Sequence, residues 1–228
     1  MNFNPKIVNE LIDNGFTIIP LNEEIISAED LKEMREEILN ANLSTEKSIN
    51  VITNQEIAEK HPETIKLKES DENQKFEKCV KYLKEISMKF KSIFATLKLE
   101  EDWSENKASI LTKNASLPKH LDNDGSNEED KRKISIILYL NPDWEEKDGG
   151  ELILYTLEDQ IIKISPSQCI LVFFSDQIAH QVEIIHSEMK RLTLTIWMKT
   201  QIKNYLLFNY DKDQFYNIMR KHFPQYLY

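Results

Sequence analysis

The sequence predicts an α+β fold: a helical N-terminal half followed by an antiparallel β core, a barrel or sandwich such as a jelly roll. Three observations lead there. Residues 6–14, 28–39 and 74–97 show apolar residues at helical spacing, residues from about 104 onward break into short β-rich runs separated by Pro, Gly, Asp and Ser clusters, and no helix-length segment interrupts those runs before about 200. Strands so closely spaced leave no room for crossover helices, so they must pair antiparallel. A chain of 228 residues without a break in composition fits one domain over 1–228. Its expected parts are mainly helical support with early strands at 1–103, the β core at 104–200 and a C-terminal helix at 201–228.

Taken in order, residues 6–14 carry Ile7, Val8, Leu11 and Ile12, and Gly15 breaks the run before the β-rich 16–20, which reads as helix, turn, strand. Ser27-Ala28-Glu29-Asp30 offers a capped start to a second helix with Leu31, Met34, Ile38 and Leu39 on one face. Residues 42–73 are polar and charged with few apolar anchors, and are expected to form exposed loops and short elements. From 74 to 97 Phe76, Val80, Leu83, Ile86, Phe90, Ile93 and Leu97 keep a three-to-four period, so this is a long amphipathic helix whose aromatic residues belong to the core. Strands are expected at 108–112, 134–140, 151–155, 160–164, 169–174, 179–185 and 191–199. The tail from Asp211, through Phe215, Ile218, Met219 and Phe223, reads as a helix buttressing the β core.

Composition excludes some classes of function. A net charge of −10 opposes broad binding to a phosphate backbone, so nucleic acid is not an expected partner. No run is long and apolar enough to span a bilayer, and Met1-Asn2-Phe3-Asn4-Pro5-Lys6 lacks an apolar signal core. Cys79 and Cys169 lie far apart without metal-ligand spacing and are expected to be reduced and buried. These features point to a reducing compartment, the cytoplasm, with nuclear access left open, and to no membrane partner.

The chemistry gathers at His120-Leu121-Asp122 and His180. On a strand, residues i and i+2 share a face, so His120 and Asp122 can reach one ion while Leu121 points away. His180 follows the apolar run Ile170 to Phe174 and a polar turn, which puts it at the rim of the β core. Two imidazoles and a carboxylate on one side of a metal leave the opposite positions open, an arrangement that suits non-haem Fe(II). His61, His186 and His222 have no companion at ligand spacing and read as solvated or structural. Arg191-Leu192-Thr193-Leu194-Thr195-Ile196-Trp197 alternates strictly, placing Arg191, Thr193, Thr195 and Trp197 on one face. That strand is either an edge strand whose polar side meets water or a wall that aims a guanidinium into a barrel, where it suits a carboxylate. Tyr139 either donates to the same carboxylate or is an ordinary strand aromatic.

Four stretches carry a resemblance: His120-Leu121-Asp122-Asn123; Ile137 to Trp144 with Asp148-Gly149-Gly150-Glu151-Leu152; Phe173-Phe174-Ser175-Asp176 leading to His180; and Arg191 to Trp197. From Leu117 to Met198 the sequence resembles the 2-oxoglutarate and Fe(II)-dependent prolyl 4-hydroxylase superfamily, nearest the cytoplasmic branch of hypoxia-inducible-factor prolyl hydroxylases and their bacterial and protist relatives. The resemblance implies a double-stranded β-helix (jelly-roll) core with N-terminal supporting helices and a C-terminal helix. It further implies that His120, Asp122 and His180 ligate iron and that Arg191, counted with them as catalytic, binds the distal carboxylate of 2-oxoglutarate with Tyr139, beside Thr195 and Trp197. The implied reaction is O2-dependent hydroxylation of a prolyl residue of a cytoplasmic protein, with release of succinate and CO2; ascorbate is a further suggested cofactor. Two of only four glycines form Gly149-Gly150, where the family turns tightly.

Departures are visible too. Ile110-Leu111-Thr112 has no tyrosine where the hypoxia-type relatives have a pocket tyrosine, and the spacing from His180 to Arg191 is longer, which makes Lys190 a second candidate anchor. The family covers its substrate with a mobile loop, and 42–73 is the place for a counterpart. Acidic residues Asp122 to Asp124 and Asn127 to Asp130 suit either a basic target or a solvated loop. Competing readings are a hydroxylase of a free amino acid or other small molecule on the same scaffold, and a binding module that has lost turnover.

Overall fold

A computed structural model of the chain describes residues 6–45, 62–68, 75–94, 98–100, 103, 105–123, 132–156 and 160–200. Among these lie helices α1 (Lys6–Asn14), α2 (Ala28–Leu39) and α3 (Glu77–Ile93). The strands are β1 (Phe16–Pro20), β2 (Ser44–Thr45), β3 (Glu63–Ile65), β4 (Asn106–Leu111), β5 (Leu117–His120), β6 (Arg132–Tyr139), β7 (Leu152–Tyr155), β8 (Ile161–Ile164), β9 (Cys169–Phe174), β10 (Ala179–Val182) and β11 (Arg191–Lys199). Two antiparallel sheets result, a seven-stranded one in the order β1-β9-β6-β11-β4-β3-β2 and a four-stranded one in the order β5-β10-β7-β8. This is the jelly-roll architecture with supporting helices that the strand spacing predicts.

Period-2 alternation gives the large sheet two different faces. Ile134, Ile136 and Leu138 of β6, Ile170 and Val172 of β9, and Leu192, Leu194, Ile196 and Met198 of β11 pack on one side with α1, α2 and α3. The intervening residues Ile137, Tyr139, Leu171 and Phe173 face the small sheet, where they meet Leu152, Leu154, Ile164 and Val182. The helices therefore brace the floor of the barrel from outside, and the functional residues occupy its inside. Ser27 caps α2 by accepting from the Asp30 amide, as its sequence pattern predicts. Phe76 gives α3 no side-chain cap, and Glu37 of α2 does so instead, accepting from the Lys78 and Cys79 amides. Both cysteines are free and buried.

Four sequence expectations shift. The expected helix over 74–97 runs from Glu77 to Ile93, since Phe76 is its cap. The expected strand over 179–185 ends at Val182, with Ile185 making only an isolated bridge to Gly149. The strand geometry read for His120-Leu121-Asp122 holds only as far as His120: β5 runs over Leu117-Pro118-Lys119-His120, which has no β pattern of its own and is a strand through its pairing with β10. The edge-strand alternative for 191–199 is overturned: β11 lies between β6 and β4 and is paired along both sides. Within 42–73 the described part forms β2 and β3, an antiparallel pair at the end of the large sheet. The expected helix over 201–228, His61, His222, and the acidic residues 124 and 127–130 lie outside the described residues.

Candidate active site

His120 ends β5 and pairs directly with His180 of β10, so the register of the small sheet alone brings the imidazoles together, with ring centres 4.3 Å apart. Asp122 lies just beyond β5 rather than on it, and neighbouring bonds hold the chain there. The Asn123 amide donates to the Ser175 carbonyl at 3.0 Å, and Arg132 Nη1 donates to the Asp122 carbonyl at 2.9 Å. Asp122 Oδ1 stands 3.6 Å from His120 Nε2 and 3.7 Å from His180 Nε2. Its other oxygen accepts from Ser135 Oγ at 2.5 Å, and Ser135 Oγ is in turn 2.8 Å from Ser175 Oγ.

These residues fit a metal ion. One ligand atom from each of His120, Asp122 and His180 lies within 4.8 Å of the others. Each imidazole places Nδ1 against a backbone carbonyl two residues earlier, Pro118 at 2.8 Å and Ile178 at 3.1 Å, so Nδ1 carries the proton and the Nε2 lone pair faces the shared point. Burial and the neighbouring His120 push His180 down to about 4 against the pull of Asp122, so it is a neutral donor. Burial acts to raise the Asp122 carboxyl, but the two histidines and Ser135 overcome it and hold the group far below the usual carboxylate range. Burial lowers His120, while its hydrogen bond to Asp122 and that carboxylate's charge more than offset this. The His180 side chain is 5% exposed and that of His120 41%, so the cluster opens on the His120 side. Phe173 packs edge-on against His180 at 4.8 Å.

The same residues line one cavity of about 100 Å³ together with Leu111, Ile137, Tyr139, Arg191, Thr195 and Trp197. Arg191 is buried at its far end, where Nε donates to the Gly150 carbonyl at 2.9 Å and the guanidinium lies 5.1 Å from the centre of the Tyr139 ring. Burial raises the Tyr139 pKa and Arg191 offsets only part of this, so the phenol stays protonated. Its hydroxyl feels the Arg191 charge but makes no hydrogen bond of good geometry among the described residues. A buried cation beside an unsatisfied hydroxyl donor is a receptor for a carboxylate. Lys190 is exposed and lines a separate surface pocket with Arg35 and Met189, so of the two candidate anchors only Arg191 reaches the cavity. His186 is exposed and packs against Gly149, a structural place.

Gly149 and Gly150 have φ of +67° and +71°, and a Cβ at Gly150 would meet Ile185 Cγ1 at 2.8 Å and Arg191 Cδ at 3.3 Å. The doublet thus lets the chain pass close behind Arg191. Sequence reasoning missed Ser135, and also Lys107 and Ser109, which line the cavity; Thr193, placed on the Arg191 face by the sequence but given no role, lines it too. The available signal was parity: Ser135 shares the period-2 face of Tyr139, and Thr193 shares that of Arg191.

Residues 107–199 match the family model of the 2OG-Fe(II) oxygenase superfamily. Over 75 residues, 29% of this chain and 14% of the relative, the sequence is 41% identical to mouse prolyl 3-hydroxylase OGFOD1, so the likeness spans a small part of that protein's length. The fold is similar to that of a Pseudomonas putida prolyl-4-hydroxylase, with a TM-score of 0.69 and 23% identity over 86% of this chain and 98% of that one. It is also similar to a prolyl hydroxylase from Trichoplax adhaerens solved with a hypoxia inducible factor oxygen degradation domain peptide fragment, with a TM-score of 0.68 and 21% identity over 86% and 88% of the two chains. Metal cluster, carboxylate receptor and glycine doublet all fall inside the stretch that matches the 2OG-Fe(II) oxygenase superfamily model.

Proposed function

We propose that this protein hydroxylates a prolyl residue of a cytoplasmic protein, with His120, Asp122 and His180 holding Fe(II), and Arg191 and Tyr139 holding the distal carboxylate of 2-oxoglutarate. The observation that carries the reading is one cavity with a three-donor cluster at one end and a buried arginine with an unsatisfied phenol at the other. When bound, Fe(II), 2-oxoglutarate and O2 supply oxidative decarboxylation to succinate and CO2 coupled to hydroxylation of a C–H bond, and ascorbate serves to keep the metal reduced. The chain supplies position and dryness. Ser135 occupies one oxygen of Asp122 and leaves the other for the metal. Tyr139 and Arg191 fix one end of the co-substrate, so its orientation is set before reaction. Thr195 and Trp197 wall the cavity, while Leu111, Ile137 and Leu152 exclude water from it.

A macromolecular substrate is supported by the opening of the cluster on the His120 side and by Pro62, just before β3, which lines the same cavity. Through Pro62 the described part of 42–73 reaches the site, in keeping with a substrate-covering role. The mouse relative is called a prolyl 3-hydroxylase and the Pseudomonas protein a prolyl-4-hydroxylase; we assign the 4-position. The free, buried cysteines support a reducing compartment. The test supplies Fe(II), 2-oxoglutarate and O2 with proline-containing peptides, and separately with free amino acids. Succinate release with a one-oxygen mass gain on a peptide proline is expected, and fragmentation against authentic hydroxyprolines reads the ring position. Turnover confined to free amino acids would overturn the protein-substrate reading.

A further inference from the structure

The cavity holds a second cation that the proposed iron and 2-oxoglutarate contacts leave unused. Strand β4 turns Lys107, Ser109 and Leu111 into it, and each has a fixed neighbour on β11: Leu111 opposite Arg191, Ser109 opposite Thr193 and Lys107 opposite Thr195. The floor is therefore ordered along the strands. Arg191 and Leu111 stand at one end with Tyr139 opposite Thr193 next along, Lys107 and Thr195 stand about 13 Å from Arg191 at roughly 3.3 Å per residue, and Trp197 lies two residues beyond them. That second end is the metal end, because Trp197 is paired with Ser135, whose hydroxyl holds Asp122. Lys107 is half-buried, its Nζ is 5.6 Å from the centre of the Trp197 ring, and its charge acts on His120.

We infer that Lys107 binds the carboxylate adjacent to the ketone of the 2-oxo dicarboxylic acid, as the metal-end counterpart of Arg191. The inference rests on the co-substrate reading above. A five-carbon 2-oxo dicarboxylic acid is shorter than the separation of the two strand positions, so the long Arg191 and Lys107 side chains reach inward to meet one carboxylate each, and a carboxylate oxygen taken out of water without a donor is costly. Arg191 and Tyr139 serve one end. At the other, the Ser135 hydroxyl is committed to Asp122, and the buried indole Nε1 of Trp197, which has no partner among the described residues, is a donor without a charge. Lys107 supplies charge and donors where they are needed, and strand register keeps it there.

The experiment measures 2-oxoglutarate and Mn(II) binding by calorimetry on the full chain, and binding of 4-oxopentanoate by displacement of 2-oxoglutarate. The last ligand keeps the ketone and the distal carboxylate and lacks only the carboxylate beside the ketone. Lys107→Met should weaken 2-oxoglutarate by about tenfold, as loss of one charge-assisted contact at a half-exposed site implies. It should leave Mn(II) and 4-oxopentanoate within about twofold, since neither carries the missing group. Lys107→Arg should recover most of the loss. Unchanged 2-oxoglutarate affinity in Lys107→Met, or an equal loss for 4-oxopentanoate, would overturn the assignment and leave the co-substrate reading intact. A wild-type protein that binds Mn(II) but not 2-oxoglutarate would instead remove the co-substrate reading, and the inference with it.

Discussion

Asp122 shows how a single side chain is prepared for its task. Its two oxygens have different work: Oδ2 accepts from Ser135, and Oδ1 faces both histidines. Removing the hydroxyl with Ser135→Ala frees the carboxylate to rotate, and loss of such an outer hydrogen bond lowers metal affinity by about 10–100-fold. Calorimetry with Mn(II) reads this directly, and an affinity within twofold of wild type would show that Asp122 is held by its backbone ties alone. Gly150→Ala makes a parallel case at the other end of the cavity. Its Cβ would meet Ile185 Cγ1 at 2.8 Å and press on Arg191, at a φ that side chains resist. We expect weaker 2-oxoglutarate binding with Mn(II) affinity retained; loss of both would mean that the turn shapes the whole cavity. His120, Asp122, His180 and Arg191 were legible in the sequence because a His-x-Asp pair, a histidine just after an apolar run and an arginine opening a strictly alternating strand form a ligand pattern. Ser135 and Lys107 were not, because a serine or lysine on a strand ordinarily faces water, and only the pairing of β4, β6 and β11 shows that theirs do not.

Elements add a second kind of constraint. Helices α2 and α3 are latched by Asp30, whose carboxylate accepts from Lys78 and from the Tyr82 hydroxyl. Those hydrogen bonds hold its pKa below the ordinary value despite some burial. A carboxyl depressed on folding stabilises the protein fully above its unfolded pKa, about 4, and the contribution fades as pH falls through the lower folded value. The carboxylate is part-exposed, so screening limits the effect to about 1 kcal/mol. Asp30→Asn should lower the urea midpoint at pH 7, with the gap to wild type narrowing as the solution is made more acidic; a gap independent of pH would assign the effect to packing. Elements with their own periodicity were legible: α1, β1, β9 and β11 fall where the sequence pattern puts them. β5 was not, since Leu117-Pro118-Lys119-His120 owes its strand conformation to a partner far along the chain. That non-local pairing is also what completes the site, since it sets His120 directly opposite His180.

At the scale of the molecule, the two sheets are joined by unlike materials. The helix-backed face of the large sheet is continuous hydrocarbon, whereas the face toward the small sheet interrupts its apolar packing with Ser135, Arg191, Thr193 and Thr195. Those polar positions surround a cavity, so the small sheet is held less by packing and more by whatever fills the space between. Two of the three metal donors sit on the small sheet and the carboxylate receptor sits with the large one. Ligands should therefore act as a clamp between sheets, and stability should rise in two separable steps. A metal present at a hundred times its dissociation constant adds about 2.7 kcal/mol. For a chain of this size each kcal/mol moves Tm by roughly 2–4 °C, a shift of about 5–10 °C for the metal. 2-Oxoglutarate should add a further increment only after the metal is bound. Arg191→Met should keep the first step and lose the second, while His180→Ala should lose both, as calorimetric melts of the loaded and metal-free protein would show. An undiminished metal shift in His180→Ala would place the ion elsewhere on the chain, and a 2-oxoglutarate increment without metal would mean that the arginine end binds the acid by itself and the clamp does not span the sheets.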